Sequence, residues 1–312
     1  MSFVLQNNRS ISEVLVDSLQ LTKKYYRPLL KKSLPIVVVY GVLSLLINTF
    51  STGAVLGSFE TSGLMTQYNM DLAYILSSIA VFVSYFFLFA IMLFGLLWVR
   101  HIHQNESAAE FDLGYQLRKY LPGFILLGIV YGLSVVVGFL LLIIPGIYIF
   151  IALYGSYGVY IIERKGVIES LKRGYELSKG SWFFILGTMV LMYILSVGIY
   201  LLAGLPALII GFLLGTSPEM FLMQDGFNFA FFIMVAFSTL SSIVSFLFYG
   251  VWGIYMGVLY FTLRERKEGG SIADEMAEFE SDLSDESADD GFGKDDGLGS
   301  DPDSDRNNPD WR

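Results

Sequence analysis

Few side chains in this 312-residue chain are of types that do chemistry, and their spacing is unfavourable. His101 and His103 are its only histidines, and residues two apart on a helix point about 200° away from each other. Glu106 lies one helical turn from His103, but two ligands do not make a good metal site. The chain has no cysteine, which excludes disulfides and cysteine-ligated metals. We therefore expect no metal and no other cofactor.

The motif signatures of hydrolases, kinases and P-loop proteins do not occur in the sequence. An enzyme would lack a recognisable nucleophile, metal set or acid–base pair, so we predict that the protein is not an enzyme. No charged residue lies deep in the long apolar stretches, which argues against a proton-coupled transporter, a pump or a voltage sensor. A path for apolar or lipid-like solutes needs no such charge.

A run of hydroxyls is the most polar patch inside an apolar stretch. It consists of Ser238, Thr239, Ser241, Ser242 and Ser245, and Asn48 lies in another apolar stretch. Hydroxyls can bond to their own helix or to a neighbouring helix at little cost, so helix packing is one interpretation. The other is the polar lining of a cavity. A groove lined by Asn48, Ser238, Ser241 and Ser245 would favour a path for solutes.

Four Gly-x-x-x-Gly pairs bring small residues one helical turn apart: Gly53/Gly57, Gly128/Gly132, Gly211/Gly215 and Gly253/Gly257. Such pairs let helix backbones approach closely in a membrane. We interpret Gly128, Gly132, Gly253 and Gly257 as packing positions within one helix bundle. A dimer interface is the alternative.

Membrane-spanning helices must position these residues. Hydrophobic residues make up 54% of the chain and the mean hydropathy is +0.59. A span needs about 20 apolar residues. We predict an all-α polytopic membrane protein with about six transmembrane helices arranged as three hairpins. The predicted spans are Leu34–Leu56, Leu72–Val99, Leu121–Ile144, Ile147–Ile162, Trp182–Gly215 and Phe227–Leu263.

The charge pattern predicts the orientation. All Lys and Arg before the C-terminal tail fall in four groups that share one side of the membrane: Arg9–Lys32, Arg100–Lys119, Arg164–Lys179 and Arg264–Lys267. The connections on the other side carry Glu60, Asp71, Glu219 and Asp225 but no base. Because bases accumulate in cytoplasmic loops, we expect a cell-membrane protein with both termini in the cytoplasm.

Three domains follow from these patterns: a cytoplasmic amphipathic segment over residues 1–33, a six-span membrane domain over 34–267 and an acidic tail over 268–312. The tail carries a net charge of −13 and the rest of the chain +4. We expect the tail to be disordered and to be open to protein partners, and we expect no nucleic-acid partner. Ser281–Ser287 suggests phosphorylation; a merely solvated acidic tail is the alternative.

Residues 1–33, 100–120 and 163–181 have apolar positions at helical spacing and predict three amphipathic helices in the membrane interface. Their bases would face the headgroups of anionic membrane lipids. The candidate headgroup contacts are Lys23, Lys24, Arg27, Lys31, Lys32, Arg118, Lys119, Lys172, Arg173 and Lys179.

The three amphipathic segments also resemble one another. Glu13–Leu21 can be aligned with Glu169–Leu177 and, with one residue fewer, with Glu110–Leu117. This predicts three repeated units, each an amphipathic helix followed by a membrane hairpin. The identities are few, so a chance similarity is the alternative.

Proline predicts two interruptions. Pro145-Gly146 is a strong turn signal and predicts a tight hairpin between the third and fourth spans. Pro206 is expected to break the fifth stretch and to leave Ala207–Gly215 as a re-entrant or interfacial piece. The sixth stretch is too long for one perpendicular span and must tilt, break or project from the bilayer.

Two segments, Leu140–Tyr148 (LLLIIPGIY) and Gly166–Trp182 (GVIESLKRGYELSKGSW), carry a family resemblance. They resemble the membrane domain of some glycerophosphoryl diester phosphodiesterases and related six-helix membrane proteins of unknown function. The resemblance implies six spans, with the Pro-Gly turn outside and the Gly166 helix inside. It does not imply phosphodiesterase activity, because in those enzymes the chemistry belongs to a separate soluble domain with metal-binding carboxylates and histidines. The 45-residue tail contains no histidine.

The first hypothesis of function is a non-enzymatic membrane protein that organises or assists other envelope components through a lipid-binding inner face. The second is a transporter or channel for apolar or lipid-like solutes, which the repeated hairpins suggest. A membrane-embedded lipid enzyme is the least favoured.

Overall fold

The computed structural model describes residues 8–60, 64–104, 111–215 and 224–269, and these residues contain helices and short connections but no β-strand. The helices are α1 (Ile11–Lys24), α2 (Tyr26–Glu60), α3 (Leu64–His103), α4 (Leu113–Leu141), α5 (Ile143–Ala152), α6 (Ser156–Gly158), α7 (Val167–Ser178), α8 (Trp182–Gly215) and α9 (Gln224–Arg264). Two π-helical turns, Val159–Glu163 and Glu265–Gly269, follow α6 and α9.

Six segments are long and apolar enough to cross a membrane: Tyr26–Thr49, Ser78–His103, Leu113–Leu141, Ile143–Glu163, Trp182–Pro206 and Phe232–Gly269. The predicted fold class, an all-α protein with six such helices, is therefore confirmed, and the architecture is that of a multi-pass membrane protein. The first segment begins at Tyr26 rather than at the predicted Leu34. Lys31 and Lys32 do not interrupt it, because bases in the first turns of a helix can reach the interface.

The helix termini that carry Lys and Arg meet at one end of the bundle, which we call the basic end. It comprises the starts of α2, α4 and α8, the ends of α3 and α9, the turn Val159–Glu163, and the helices α1 and α7. Hydrogen bonds between distant residues join these termini. They connect Lys32 Nζ to the Phe111 carbonyl (2.8 Å), Arg266 to the Arg9 carbonyl (2.7 Å), and the Tyr260 hydroxyl to Glu163 (2.8 Å).

Helices α3 and α9 touch backbone to backbone near the basic end. A Cβ atom on Gly253 would collide with the Met92 carbonyl oxygen and would lie 2.9 Å from the Leu96 nitrogen. A Cβ atom on Gly95 would collide in the same way with the Gly250 carbonyl oxygen. Glycine at these positions therefore sets the separation of the two helices.

The hairpin between α4 and α5 is as tight as predicted, but its turn lies at Leu142 and not at Pro145-Gly146. Leu142 is the one extended residue between the two helices. Pro145 falls in the first turn of α5, where a backbone N–H has no helical partner to lose. Gly146 serves the close approach of the helices, since a Cβ atom there would lie 2.5 Å from the Phe139 ring.

The expectation that Pro206 breaks the fifth stretch is wrong. Helix α8 runs without interruption from Trp182 to Gly215, with Pro206 inside it. Ending the helix within the membrane would leave several backbone groups unpaired, whereas one proline removes a single N–H. The last stretch does not break either, because α9 is continuous over 41 residues.

Two of the three predicted amphipathic helices are present as separate helices, α1 and α7. Their equivalent positions are buried: Val14, Ser18 and Leu21 in α1, and Ser170, Gly174 and Leu177 in α7. Glu13 and Glu169 each accept a backbone N–H from three residues earlier, and the Ser10 N–H holds the pKa of Glu13 below its usual value. These matches fit the repeat interpretation.

The third amphipathic segment differs. Leu113–Leu117 forms the first turns of α4, whose start is capped by the Asp112 carboxylate at 3.2 Å from the Tyr115 nitrogen. Glu110 lies outside the described residues. The second hairpin therefore has no separate amphipathic helix in the described part of the chain, since the cap starts the spanning helix directly.

Substituting Gly253 by alanine should lower the free energy of unfolding by about 1–3 kcal/mol, because the added methyl group forces α3 and α9 apart. Gly132→Ala is the matched control, since a Cβ atom at Gly132 meets nothing within 4 Å. It should leave the stability unchanged or raise it by up to about 1 kcal/mol. Denaturant titration of both variants in detergent measures the difference. Equal stability of the two variants would contradict the assigned contact.

Candidate functional site

A cavity of about 720 Å³ lies between α2, α3, α8 and α9. We call it the polar cavity. It lies in the half of the bundle opposite the basic end: Asn48 is 22 residues beyond Tyr26 along α2, which is about 33 Å at 1.5 Å per residue. Its polar wall consists of Asn48 and the serines Ser44, Ser84, Ser238, Ser241, Ser242 and Ser245. Four tyrosines also line it, Tyr40, Tyr85, Tyr200 and Tyr249.

Asn48 links two walls of the polar cavity. Its amide nitrogen lies 3.4 Å from both the Thr239 and the Ser242 hydroxyl oxygens on α9. Ser242 donates its own proton to the Ser238 carbonyl at 2.9 Å, so its oxygen can accept from Asn48. Both bonds use the NH₂ group of Asn48, and its carbonyl oxygen takes no part in them.

The serine hydroxyls present two kinds of hydrogen-bonding group. Ser44 and Ser84 donate to carbonyls of their own helices, at 3.0 and 2.9 Å, so only their oxygen lone pairs remain for a ligand. Ser245 differs, because its buried hydroxyl has no hydrogen-bond partner among the described residues. A buried hydroxyl without a partner is costly, so this position favours a bound water or ligand oxygen.

The rest of the wall is apolar and aromatic. It includes Ile47, Leu88, Leu201, Met234 and Phe246, and the Tyr40 and Phe246 rings stack with centroids 3.9 Å apart. None of the lining residues carries a formal charge at neutral pH. A buried charge in such a site would be costly, whereas an uncharged group with hydrogen-bonding oxygens would be accepted.

Sequence reasoning identified part of the lining of this cavity. Asn48, Ser238, Ser241 and Ser245, the four residues named for a solute-binding groove, all line it. Sequence reasoning did not find Ser44, Ser84 or the four tyrosines. Single serines and tyrosines in apolar spans are common, and nothing local shows that they face the same space.

The candidate headgroup residues lie at the basic end. Eight of the ten are exposed: Lys23, Lys24, Arg27, Lys31, Arg118, Lys119, Lys172 and Lys179. Lys32 is half-buried with its bond to the Phe111 carbonyl, and Arg173 lies 3.6 Å from both Glu163 and Glu176. The exposed eight lie on α1, α2, α4 and α7 or directly after α7, with exposed acids such as Glu169 and Glu176 on α7.

Of the four candidate packing glycines, Gly253 and Gly257 lie against α3; a Cβ atom on Gly257 would be 2.8 Å from Val99. Gly128 lies against the Phe89 ring at 2.9 Å. Gly132 faces open space. The side chains around Gly53/Gly57 and Gly211/Gly215 lie outside the described part of the structure.

Buried charges at the basic end were not anticipated. Arg9 is 2% exposed and its Nε lies 2.6 Å from the Asp17 carboxylate. Arg100 is 7% exposed; it donates to the Ile161 carbonyl at 3.4 Å and lies 5.1 Å from the Tyr120 ring centre. The Arg9–Asp17 pair is local to α1, whereas Arg100 joins α3 to segments distant in the sequence, which only the folded structure shows.

The two histidines contact different partners. His101 is buried against the Phe111 ring at 5.1 Å, and His103 packs on Phe261 at 4.5 Å. Among the described residues, no group of three or more His, Cys, Asp or Glu side chains could hold a metal ion.

Comparison of the chain with protein-family models, with curated proteins and with solved structures finds no match. The resemblance of Leu140–Tyr148 and Gly166–Trp182 to phosphodiesterase membrane domains therefore stays a prediction.

Glu163 is the central acid of the basic end. Its carboxylate lies 2.8 Å from Lys165 and from the Tyr260 hydroxyl and 3.6 Å from Arg173. Glu163→Gln should lower the free energy of unfolding by about 1–3 kcal/mol, because it removes charge-assisted hydrogen bonds. Glu176→Gln is the control, since that carboxylate is 63% exposed and lies 3.6 Å from Arg173. It should change stability by less than about 0.5 kcal/mol. Thermal unfolding in detergent compares them, and equal losses would contradict the assignment.

Proposed function

We propose that the protein binds a lipid-like molecule with an uncharged polar group in the polar cavity and carries or presents it within the membrane. One observation carries the proposal: a cavity of about 720 Å³ whose wall combines Asn48 and six serines with apolar side chains. Its volume is within the range of ligand sites, about 300–1,000 Å³. This is the transport hypothesis in its lipid-like form.

The chemistry of the wall defines the ligand. A hydroxyl, ester or amide placed in hydrocarbon loses its hydrogen bonds to water, and the Ser245 hydroxyl and the serine lone pairs replace them. The apolar wall accommodates a hydrocarbon chain. Since no lining residue is charged at neutral pH, the cavity favours a neutral polar group over an ionic one.

Photolabelling tests this proposal. A photoactivatable diacylglycerol in detergent micelles should label cavity residues of the wild-type protein, and Ser245→Leu should reduce the labelling about tenfold by filling the cavity and removing a hydrogen bond. Ser134→Leu is the matched control, because Ser134 lies on α4 outside the cavity and bonds to its own helix at 2.8 Å. Equal labelling of the two variants, or no cavity peptide labelled in the wild type, would count against the proposal.

A second candidate function is an accessory, non-enzymatic protein that organises other envelope components from its basic face. The eight exposed bases at one end of the bundle favour it, because such surfaces bind anionic headgroups. The acidic tail would offer a surface to protein partners. This candidate requires the basic end to face the cytoplasm, with both termini on that side of the cell membrane.

Reporter fusions test this orientation. Fusions after residues 105 and 175 should report the cytoplasm, and fusions after residues 60 and 220 should report the outside, because Lys and Arg are retained on the inner side. A second reporter that is active on both sides of the membrane controls for the expression level of each fusion. An external signal at residue 175 would overturn the orientation.

A further inference from the structure

A second, apolar hollow lies nearer the basic end, and we call it the apolar groove. It has a volume of about 380 Å³ between the junction of α1 and α2 and the helices α3, α8 and α9. Its wall includes Leu29, Leu30, Ile91, Phe94, Ile199 and Val244. Two of its hydroxyls are already used, since Thr22 and Ser33 donate to carbonyls of their own helices at 2.8 and 3.3 Å.

The length of the apolar groove matches one leaflet. Along α9 its lining extends from Val244 to Ile254, which is about 15 Å at 1.5 Å per residue and half of a hydrocarbon core about 30 Å thick. Leu30 and Val244 are 49% and 37% exposed, so the groove is open at its side. An acyl chain can therefore enter it laterally from the bilayer.

The end of the apolar groove at Tyr26, which we call its mouth, carries positive charge. Tyr26 lines the groove and is 48% exposed, and its hydroxyl accepts a hydrogen bond from Arg27 Nε at 2.9 Å. This bond holds the guanidinium at the mouth, with its two terminal NH₂ groups left for a ligand. Lys23 and Lys31, both exposed, lie in the neighbouring helical turns.

We propose that the apolar groove binds an anionic phospholipid, with one acyl chain along α9 and the phosphate on Arg27. A guanidinium binds phosphate oxygens through paired hydrogen bonds, whereas an apolar groove alone would accept any lipid chain. The charge at the mouth therefore selects the anionic headgroup. The inference rests on the proposed lipid contact of the basic face and is independent of the polar cavity.

Native mass spectrometry of protein from mixed phosphatidylglycerol and phosphatidylcholine micelles tests the site. The wild type should retain phosphatidylglycerol, and Arg27→Gln should lower that retention about tenfold by removing a charge-assisted contact. Arg164→Gln is the matched control, since Arg164 is an exposed arginine of the same end that neither lines the groove nor bonds to a residue that does. Arg27→Lys should restore part of the retention.

A second variant tests whether the acyl chain of the lipid occupies the apolar groove. Val244→Trp should fill the groove and lower retention of phosphatidylglycerol, while excess inorganic phosphate should not displace the lipid from the wild type. Equal retention by Arg27→Gln and Arg164→Gln, or full displacement by phosphate, would overturn the site. Ser245→Leu should retain phosphatidylglycerol like the wild type. The phospholipid site in the apolar groove can therefore be refuted separately from the ligand site in the polar cavity. Thermal unfolding of each variant confirms that it is folded.

Discussion

Helices α2 and α8 pack around a direct backbone contact between α3 and α9. At Gly95 and Gly253 no side chain separates α3 from α9. On the far side of the contact, α3 and α9 both line the polar cavity, together with α2 and α8. The polar cavity thus lies on the side of this contact that is away from the basic end.

Several basic side chains at the basic end donate hydrogen bonds to backbone carbonyls that lie outside the α-helices. Three carbonyls outside the α-helices, those of Arg9, Phe111 and Ile161, accept hydrogen bonds from Arg266, Lys32 and Arg100. Carbonyls without a helical partner are expensive to bury, and a long basic side chain can reach them from a neighbouring helix. Some of the bases that predict orientation therefore also hold the helix termini together. Sequence reasoning assigned Lys32 and Arg173 to lipid, but both have protein partners.

The sequence predicts features that depend on local pattern. Six spans follow from length and apolarity, and the hydroxyl run on α9 is visible because its members are adjacent in the chain. Sequence-based predictions fail where the surroundings of a residue determine its structure. Pro206 does not end α8, because backbone groups without hydrogen-bond partners are costly in hydrocarbon. Likewise, the Asp112 cap starts α4 directly, so Leu113–Leu117 of the predicted third amphipathic helix belong to the spanning helix. Ser44 and Ser84 join the cavity through tertiary packing that no local pattern encodes.

The two hollows are centred at different levels of the bundle and overlap along α9. The polar cavity lies in the half of the bundle away from the bases, and the apolar groove reaches the basic end at Tyr26. Serines Ser238, Ser241 and Ser245 of α9 line the first, whereas Val244, Leu247 and Val251 line the second. Because successive helical residues differ by about 100°, one helix can present hydroxyls to one hollow and aliphatic side chains to the other. Helix α9 therefore lines both proposed lipid sites, with a different face toward each.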